Sequence, residues 1–241
     1  MEPVPPAEPT GSARAAVSSD PLQASIDAAG RREEDRARDG NRKPYETMRF
    51  FGIAPGLKVA ELLTAGGYYA ELLARAVGPG GHVYAQNNSY VSQKFAEPEL
   101  SERLQQPDLG NVTHLVSELE DPKLPEGELD VVLLILGYHD TYWMRTDRAA
   151  MNAAVFAALK PGGVFGVIDH HSAPGARATQ VVNLHRIDEK LVKREILDAG
   201  FQLDDESDLL RNADDDHTKT VFDRQVRGKT DQFMLRFRKP K

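Results

Sequence analysis

Apolar and polar positions recur along this chain at two different intervals. KVAELL (58–63) and HVYAQN (82–87) are apolar runs of strand length, and between them YAELLARAV (69–77) spaces its apolar residues at the helical interval of three and four. TAGGYY before that helix and GPGG after it read as a turn and a stop. The result is a strand, helix, strand unit of about thirty residues, the length a parallel crossover needs. Further strands are predicted in NVTHLVS (111–117), LDVVLLIL (129–136) and GVFGVID (163–169). The last two are apolar nearly throughout, as expected of strands covered on both faces. RTDRAAMNAAVFAALK (145–160) predicts the helix between them, stopped by Pro161, Gly162 and Gly163. A helix over 186–199, a strand in GFQLDDES and a final strand in TDQFMLRFR follow, with Phe233, Leu235 and Phe237 alternating with Met234, Arg236 and Arg238.

Ahead of this pattern, residues 1–20 mix proline, alanine and serine with almost no bulky apolar side chain. They cannot offset their ordering entropy by burial, and are expected to form a disordered tail. Residues 21–43 read as a helical N-terminal arm, capped by Asp20, opened by Pro21 and interrupted at Gly30. After Pro44, YETMRFFGI predicts a short amphipathic helix and PGLK a turn into the first strand. Residues 44–241 then form one α/β domain: a doubly wound, mostly parallel, seven-stranded Rossmann-like sheet with a C-terminal antiparallel hairpin.

Composition narrows the function. A chain of 241 residues with formal net charge −7 lacks the general basic surface of a nucleic-acid binder, so the expected partner is a small molecule and no nucleic acid. No run approaches the ~18 consecutive apolar residues of a membrane-spanning helix, and the start has no apolar signal core. As it stands the chain reads as cytoplasmic, or as periplasmic where a leader has been removed ahead of it. The absence of cysteine excludes disulfides, thiolate metal sites and cysteine nucleophiles.

In an open parallel sheet, ligands bind beyond the C-terminal strand ends, which here are 61–67, 86–88, 137–143 and 169–172. At the first of them, E-L-L-T-A-G-G-Y-Y, small residues let backbone approach a ligand ahead of a helix N-terminus. This loop resembles motif I of the class I S-adenosylmethionine-dependent methyltransferases, with Leu63 and Ala65 where the commonest pattern has glycine. SELEDPKLPEGELDVVLL and LKPGGVFGVID resemble the same family's stretches around its fourth and fifth strands. The chain looks most similar to a bacterial group of methyltransferases of unassigned substrate. That group has an H-D after the fourth strand, here His139 and Asp140, and R-G-K-T-D near the end, here 227–231. The resemblance implies S-adenosyl-L-methionine as cofactor. Glu61 and the backbone of Ala65, Gly66 and Gly67 would hold its methionine end. Asn87 would face the ribose hydroxyls, an amide where an acid is usual. Glu118 would meet the adenine amino group, with the Leu119 amide nearby. The alternative reading makes Glu118 and Glu120 solvated loop acids.

Methyl transfer needs a base only where the nucleophile carries a proton, as in an O-methyltransferase. The candidates for the reacting centre are His139, Asp140 and His170, two polar clusters meeting at one rim; the plainer reading of each histidine is a strand-end cap. Asp140, Asp169 and His170 bear a short likeness to metal-dependent catechol methyltransferases, which would allow a divalent ion such as magnesium. Tyr138 and Trp143 offer an aromatic wall for a substrate, or packing under the arm. Arg211, Arg227 and Lys229 lie in a connection of some twenty residues, long for a hairpin. They offer a clamp for an anionic substrate, or a solvated loop balanced by Asp214, Asp215 and Asp216. Two other functions remain open: a non-catalytic binding or scaffold protein with a degenerate methyltransferase fold, and an NAD-dependent oxidoreductase. The second lacks a complete G-x-G-x-x-G and an acid ending the second strand.

Overall fold

The computed structural model describes residues 20–241. The expected tail lies outside them except for Asp20, whose side chain caps α1 (Pro21–Asp27) by accepting from the Leu22 N–H. Gly30 separates α1 from α2 (Glu33–Arg42), and α3 (Pro44–Phe50) leads to β1 (Lys58–Leu62), α4 (Tyr68–Val77) and β2 (His82–Asn87). Short α5 (Ser89–Val91), a π-helical turn and α6 (Glu99–Arg103) precede β3 (Val112–Val116) and β4 (Leu129–Ile135). Then come α7 (Thr141–Met144), α8 (Arg148–Ala158), β5 (Leu159–His170), α9 (Ala178–Leu184), α10 (Glu189–Asp198), β6 (Gln202–Ser207) and β7 (Gln232–Arg238).

The single helix expected over 145–160 is shorter, because Asp147 caps α8 by accepting from the Ala149 and Ala150 N–H groups and the chain turns extended at Leu159. The helix expected over 186–199 starts at Glu189 behind an Asp188 cap, and α9, which no pattern foretold, precedes it.

Seven strands form one sheet in the order β3-β2-β1-β4-β5-β7-β6. All neighbours are parallel except β7, antiparallel to both β5 and β6. Order reverses between β1 and β4, and the crevice there is the switch point at which such sheets take ligands. Alternate strand residues feed two cores. Val59, Val83, Val131, Leu133 and Met234 pack under α1, α3 and α4; Leu62, Val132, Leu134, Phe165, Phe233, Leu235 and Phe237 pack under α8 and α10. Each fully buried large side chain stabilises the fold by roughly 1.5–3 kcal/mol relative to exposure. Edge strand β6 is largely exposed and carries Asp204, Asp205 and Glu206, charges that discourage pairing with another chain. No helix among the described residues is long and apolar enough to cross a membrane.

The arm is bound into this body. Arg31 forks onto both oxygens of Asp39 at 2.7 Å, Tyr68 of α4 donates to the same carboxylate at 2.6 Å, and α1 packs against α4. The 208–231 connection is also anchored: Arg186, fully buried, holds Asp215 with two hydrogen bonds of 2.7 and 3.0 Å, and the Asp215 carboxylate accepts from the Asp231 N–H.

Candidate active site

A cavity of about 410 Å³ opens at the switch point, lined by Glu61, Leu63, Thr64, Ala65 and Gly66 after β1 and by Leu136, Gly137, Asp140 and Trp143 after β4. Its size falls in the usual range of about 300–1,000 Å³ for small-ligand sites. Leu63 and Ala65 hold φ of 51° and 48°, so the loop adopts the left-handed backbone of the glycines that these positions lack. Leu136, on the opposite wall, is also left-handed at φ 57°. Strain of this kind costs of order 1–2 kcal/mol per residue and persists where the surroundings enforce it.

Glu61 is buried at the base of the loop and accepts a short hydrogen bond from the Thr64 hydroxyl. Burial pushes its carboxyl up to about 7, against the pull of that hydrogen bond and of Arg42. Gly66 and Gly67 are closely covered. A side chain at 66 would meet the Glu99 carboxylate at 2.5 Å, and one at 67 would meet Leu100 at 2.7 Å and Arg103 at 3.1 Å. Asn87, fully buried, accepts from the Ala65 N–H at 2.9 Å and donates to the Ala65 carbonyl at 3.2 Å, so its amide fixes the loop from behind. Glu118 is exposed and accepts from the Ser89 hydroxyl at 2.6 Å, while the Leu119 side chain is buried in the core.

Behind the opposite wall, Asp169, next to last in β5, is fully buried. Its oxygens take the His139 N–H and the His170 N–H, each at 2.7 Å, and the His139 Nδ1 at 2.6 Å. His139 Nε2 lies 3.1 Å from Asp140 Oδ1, which also receives the Trp143 indole N–H at 2.7 Å and faces His185 Nδ1 at 3.1 Å. Burial works against a charge on His139, but the carboxylates of Asp169 and Asp140 outweigh it and push the imidazole up to about 10. Burial likewise disfavours charge on Asp140, yet His139 and His185 hold its carboxyl well below the usual range. His170, buried and beside His139, is held well below the ordinary histidine value, and its Nδ1 lies 2.7 Å from the Thr230 hydroxyl.

Of the three candidates for the reacting centre, only Asp140 lines the cavity; His139 stands behind it and His170 is turned to Thr230. Trp143 lines the cavity, but Tyr138 is buried with its hydroxyl donating to Glu195 and accepting from Asn152, both at 2.9 Å. Arg211, Arg227 and Lys229 are outside the lining; Arg211 lies 3.0 Å from Asp231, and Arg227 and Lys229 are exposed. The cations that do line the cavity are Arg38 and Arg42 of α2, stacked on Tyr68 with centroid distances of 4.8 and 4.6 Å. They and His185 escaped the sequence reading, since neither belongs to a strand-end motif. Phe95 and Phe222, 60% and 59% exposed, join Trp143 in an aromatic rim.

Sheet order, the antiparallel seventh strand and a strand-end cavity behind a glycine loop together define the class I S-adenosylmethionine-dependent methyltransferase fold. Solved structures agree. A SAM-dependent methyltransferase from Aquifex aeolicus superposes with TM-score 0.61 at 18% identity, over 84% of this chain and 98% of that one. A geranyl diphosphate C-methyltransferase from Streptomyces coelicolor, solved with Mg2+, geranyl-S-thiolodiphosphate and S-adenosyl-L-homocysteine, superposes with TM-score 0.62 at 14% identity, over 90% of this chain and 84% of that one. By sequence, the ubiquinone/menaquinone biosynthesis C-methyltransferase UbiE of Shewanella halifaxensis is 25% identical over 123 residues, 51% of this chain and 46% of that protein. The chain spans about half the length of the curated relatives it matches. No family model matches it.

Proposed function

We propose that this chain is an S-adenosylmethionine-dependent methyltransferase whose acceptor is a small, largely apolar or aromatic molecule carrying an oxygen nucleophile. One observation carries the reading: a single cavity joins the motif I loop to a carboxylate and imidazole pair, Asp140 and His185, under an aromatic rim. The cofactor, when bound, supplies an electrophilic methyl group on a sulfonium. Glu61 is the anion for its ammonium end, and Arg38 and Arg42 are the cations for its carboxylate. Asp140 and His185 are the wall groups able to accept the proton that a hydroxyl acceptor loses, with His139 positioning Asp140 from behind. Trp143, Phe95 and Phe222 exclude water and offer flat apolar contact. The antiparallel β7 inserted between β5 and β6 disfavours the dinucleotide-oxidoreductase alternative, whose mostly parallel sheet runs in the order 3-2-1-4-5-6.

One observation favours a second reading, a non-catalytic binding protein: Asn87 is spent on Ala65 and Glu99 covers Gly66. Calorimetric titration with S-adenosylmethionine, and with NAD as control, separates the two. Saturable binding of the sulfonium alone is expected, abolished in Gly67→Arg and weakened in Glu61→Gln. The second variant guards against misfolding of the first, whose new side chain meets Leu100 and Arg103. Absence of binding in the unmodified protein would sink the enzymatic reading.

A further inference from the structure

Asp140 Oδ1 is approached by Trp143 Nε1 at 2.7 Å and by His139 Nε2 and His185 Nδ1, each at 3.1 Å. An indole N–H is only a donor, whereas an imidazole nitrogen donates or accepts according to its tautomer. Buried Asp169 takes the Nδ1 side of His139, so its Nε2, aimed at a carboxylate oxygen, is the ring position that a proton or a cation shares with Asp140. A divalent ion that displaces that proton would find three ligand atoms already converging. The spacing is suggestive: two ligand atoms each about 2.1 Å from one ion, at right angles about it, lie about 3 Å apart. The ligand atoms of His139, Asp140 and His185 all lie within 4.8 Å of one another.

We propose that His139 Nε2, Asp140 and His185 Nδ1 form a binding site for a divalent transition-metal ion, with its open coordination positions facing the cavity. Two imidazoles and one carboxylate suit ions such as iron, cobalt or zinc better than magnesium, which prefers oxygen ligands. Asp169 supplies the outer carboxylate that orients a metal-bound histidine, and the Trp143 N–H steadies Asp140. This set differs from the Asp140, Asp169 and His170 of the sequence expectation. Asp169 already accepts from two backbone N–H groups and one ring nitrogen, and His170 Nδ1 faces Thr230. A second cluster, His171, His217 and Asp231, has the Arg211 guanidinium 3.0 Å from its carboxylate and is already neutralised. The inference is independent of methyl transfer; with an ion bound, Asp140 and His185 are ligands rather than proton acceptors.

The test uses the full chain, stripped of metal by chelator and titrated with Co2+, followed by visible absorption and calorimetry without S-adenosylmethionine. One equivalent per chain is expected, with ligand-field bands. Affinity should fall more than about 100-fold in Asp140→Asn and His185→Ala, and about 10–100-fold in Asp169→Asn, whose role is positioning. His217→Ala should bind as the parent does. His185 follows the last turn of α9 and is half-buried, so its variant is expected to keep the parent's circular dichroism and melting transition. Absence of stoichiometric binding overturns the proposal, as does binding unchanged in His185→Ala or lost instead in His217→Ala. Neither result touches the sulfonium titration, which reads the methyltransferase proposal separately.

Discussion

Arg103 on the motif I side of the cavity and His139 on the β4 side are both buried among carboxylates, yet their surroundings are completed differently. Arg103 donates to the Gly66 carbonyl at 2.7 Å, Asp35 at 2.6 Å and Glu99 at 2.9 Å, and also to Glu71. Each of those acceptors is oriented by the fold, so the cation is saturated and the glycine loop is tied to the arm. His139 sits between Asp169 and Asp140, with another imidazole, His185, across the same Asp140 oxygen. One side is a finished structural joint. The other is a set of acceptors that a proton or a metal completes, which is the character expected of a reacting centre.

The largest test of this contrast is Arg103→Ala, which removes the cation shared by buried Asp35 and Glu71, leaves them only Arg38 and Arg75, and should cost about 3 kcal/mol in urea unfolding. Next comes Asp169→Asn, which keeps the shape but removes the charge behind three hydrogen bonds and should cost about 2 kcal/mol. A loss equal to that of Arg103→Ala would make His139 a structural joint of the same kind and break the comparison. Smaller again is the effect of pH on ligand binding through Glu61. Its raised folded value means that the empty protein keeps a proton that the unfolded chain sheds above 4.5, so stability falls as pH rises from there to about 7. A cationic ligand end requires the ionised form, so sulfonium binding should weaken about tenfold on lowering pH from about 8 to about 6 by calorimetry, with Glu61→Gln flat. The smallest is Ala65→Gly: release of the left-handed Ala65 should raise stability by roughly 0.5–1 kcal/mol in the same urea assay, or less where unfolded-state entropy offsets it.

Much of the fold was legible because its signals are local. The apolar runs of β1, β4 and β5 and the period of two in Phe233, Leu235 and Phe237 each lie within one element, and the strand ends so located include Glu61 and Asp140. The left-handed loop was less legible, since Leu63 and Ala65 hide a glycine-like backbone behind ordinary side chains. Three cavity groups could not be read at all. Arg38 and Arg42 lie on a helix whose polar residues look solvated in sequence, and His185 reaches Asp140 across 45 residues. Contacts of that span have no period to betray them. Tyr138 and Trp143 show the converse: close in sequence, they are turned by the start of α7 into the core and the cavity respectively.

The placement of β7 also bears on synthesis. It is made after β6 and yet lies between β5 and β6. A nascent chain that has completed β6 therefore has two strands with no partner between them, one of them carrying Phe165 and Val167 toward the core. Until residues 232–238 emerge and insert antiparallel between them, both edges are open to other chains. Ribosome-stalled or truncated forms ending before Gln232 should accordingly be the aggregating species, and the natural clients of a chaperone, even where the parent is stable.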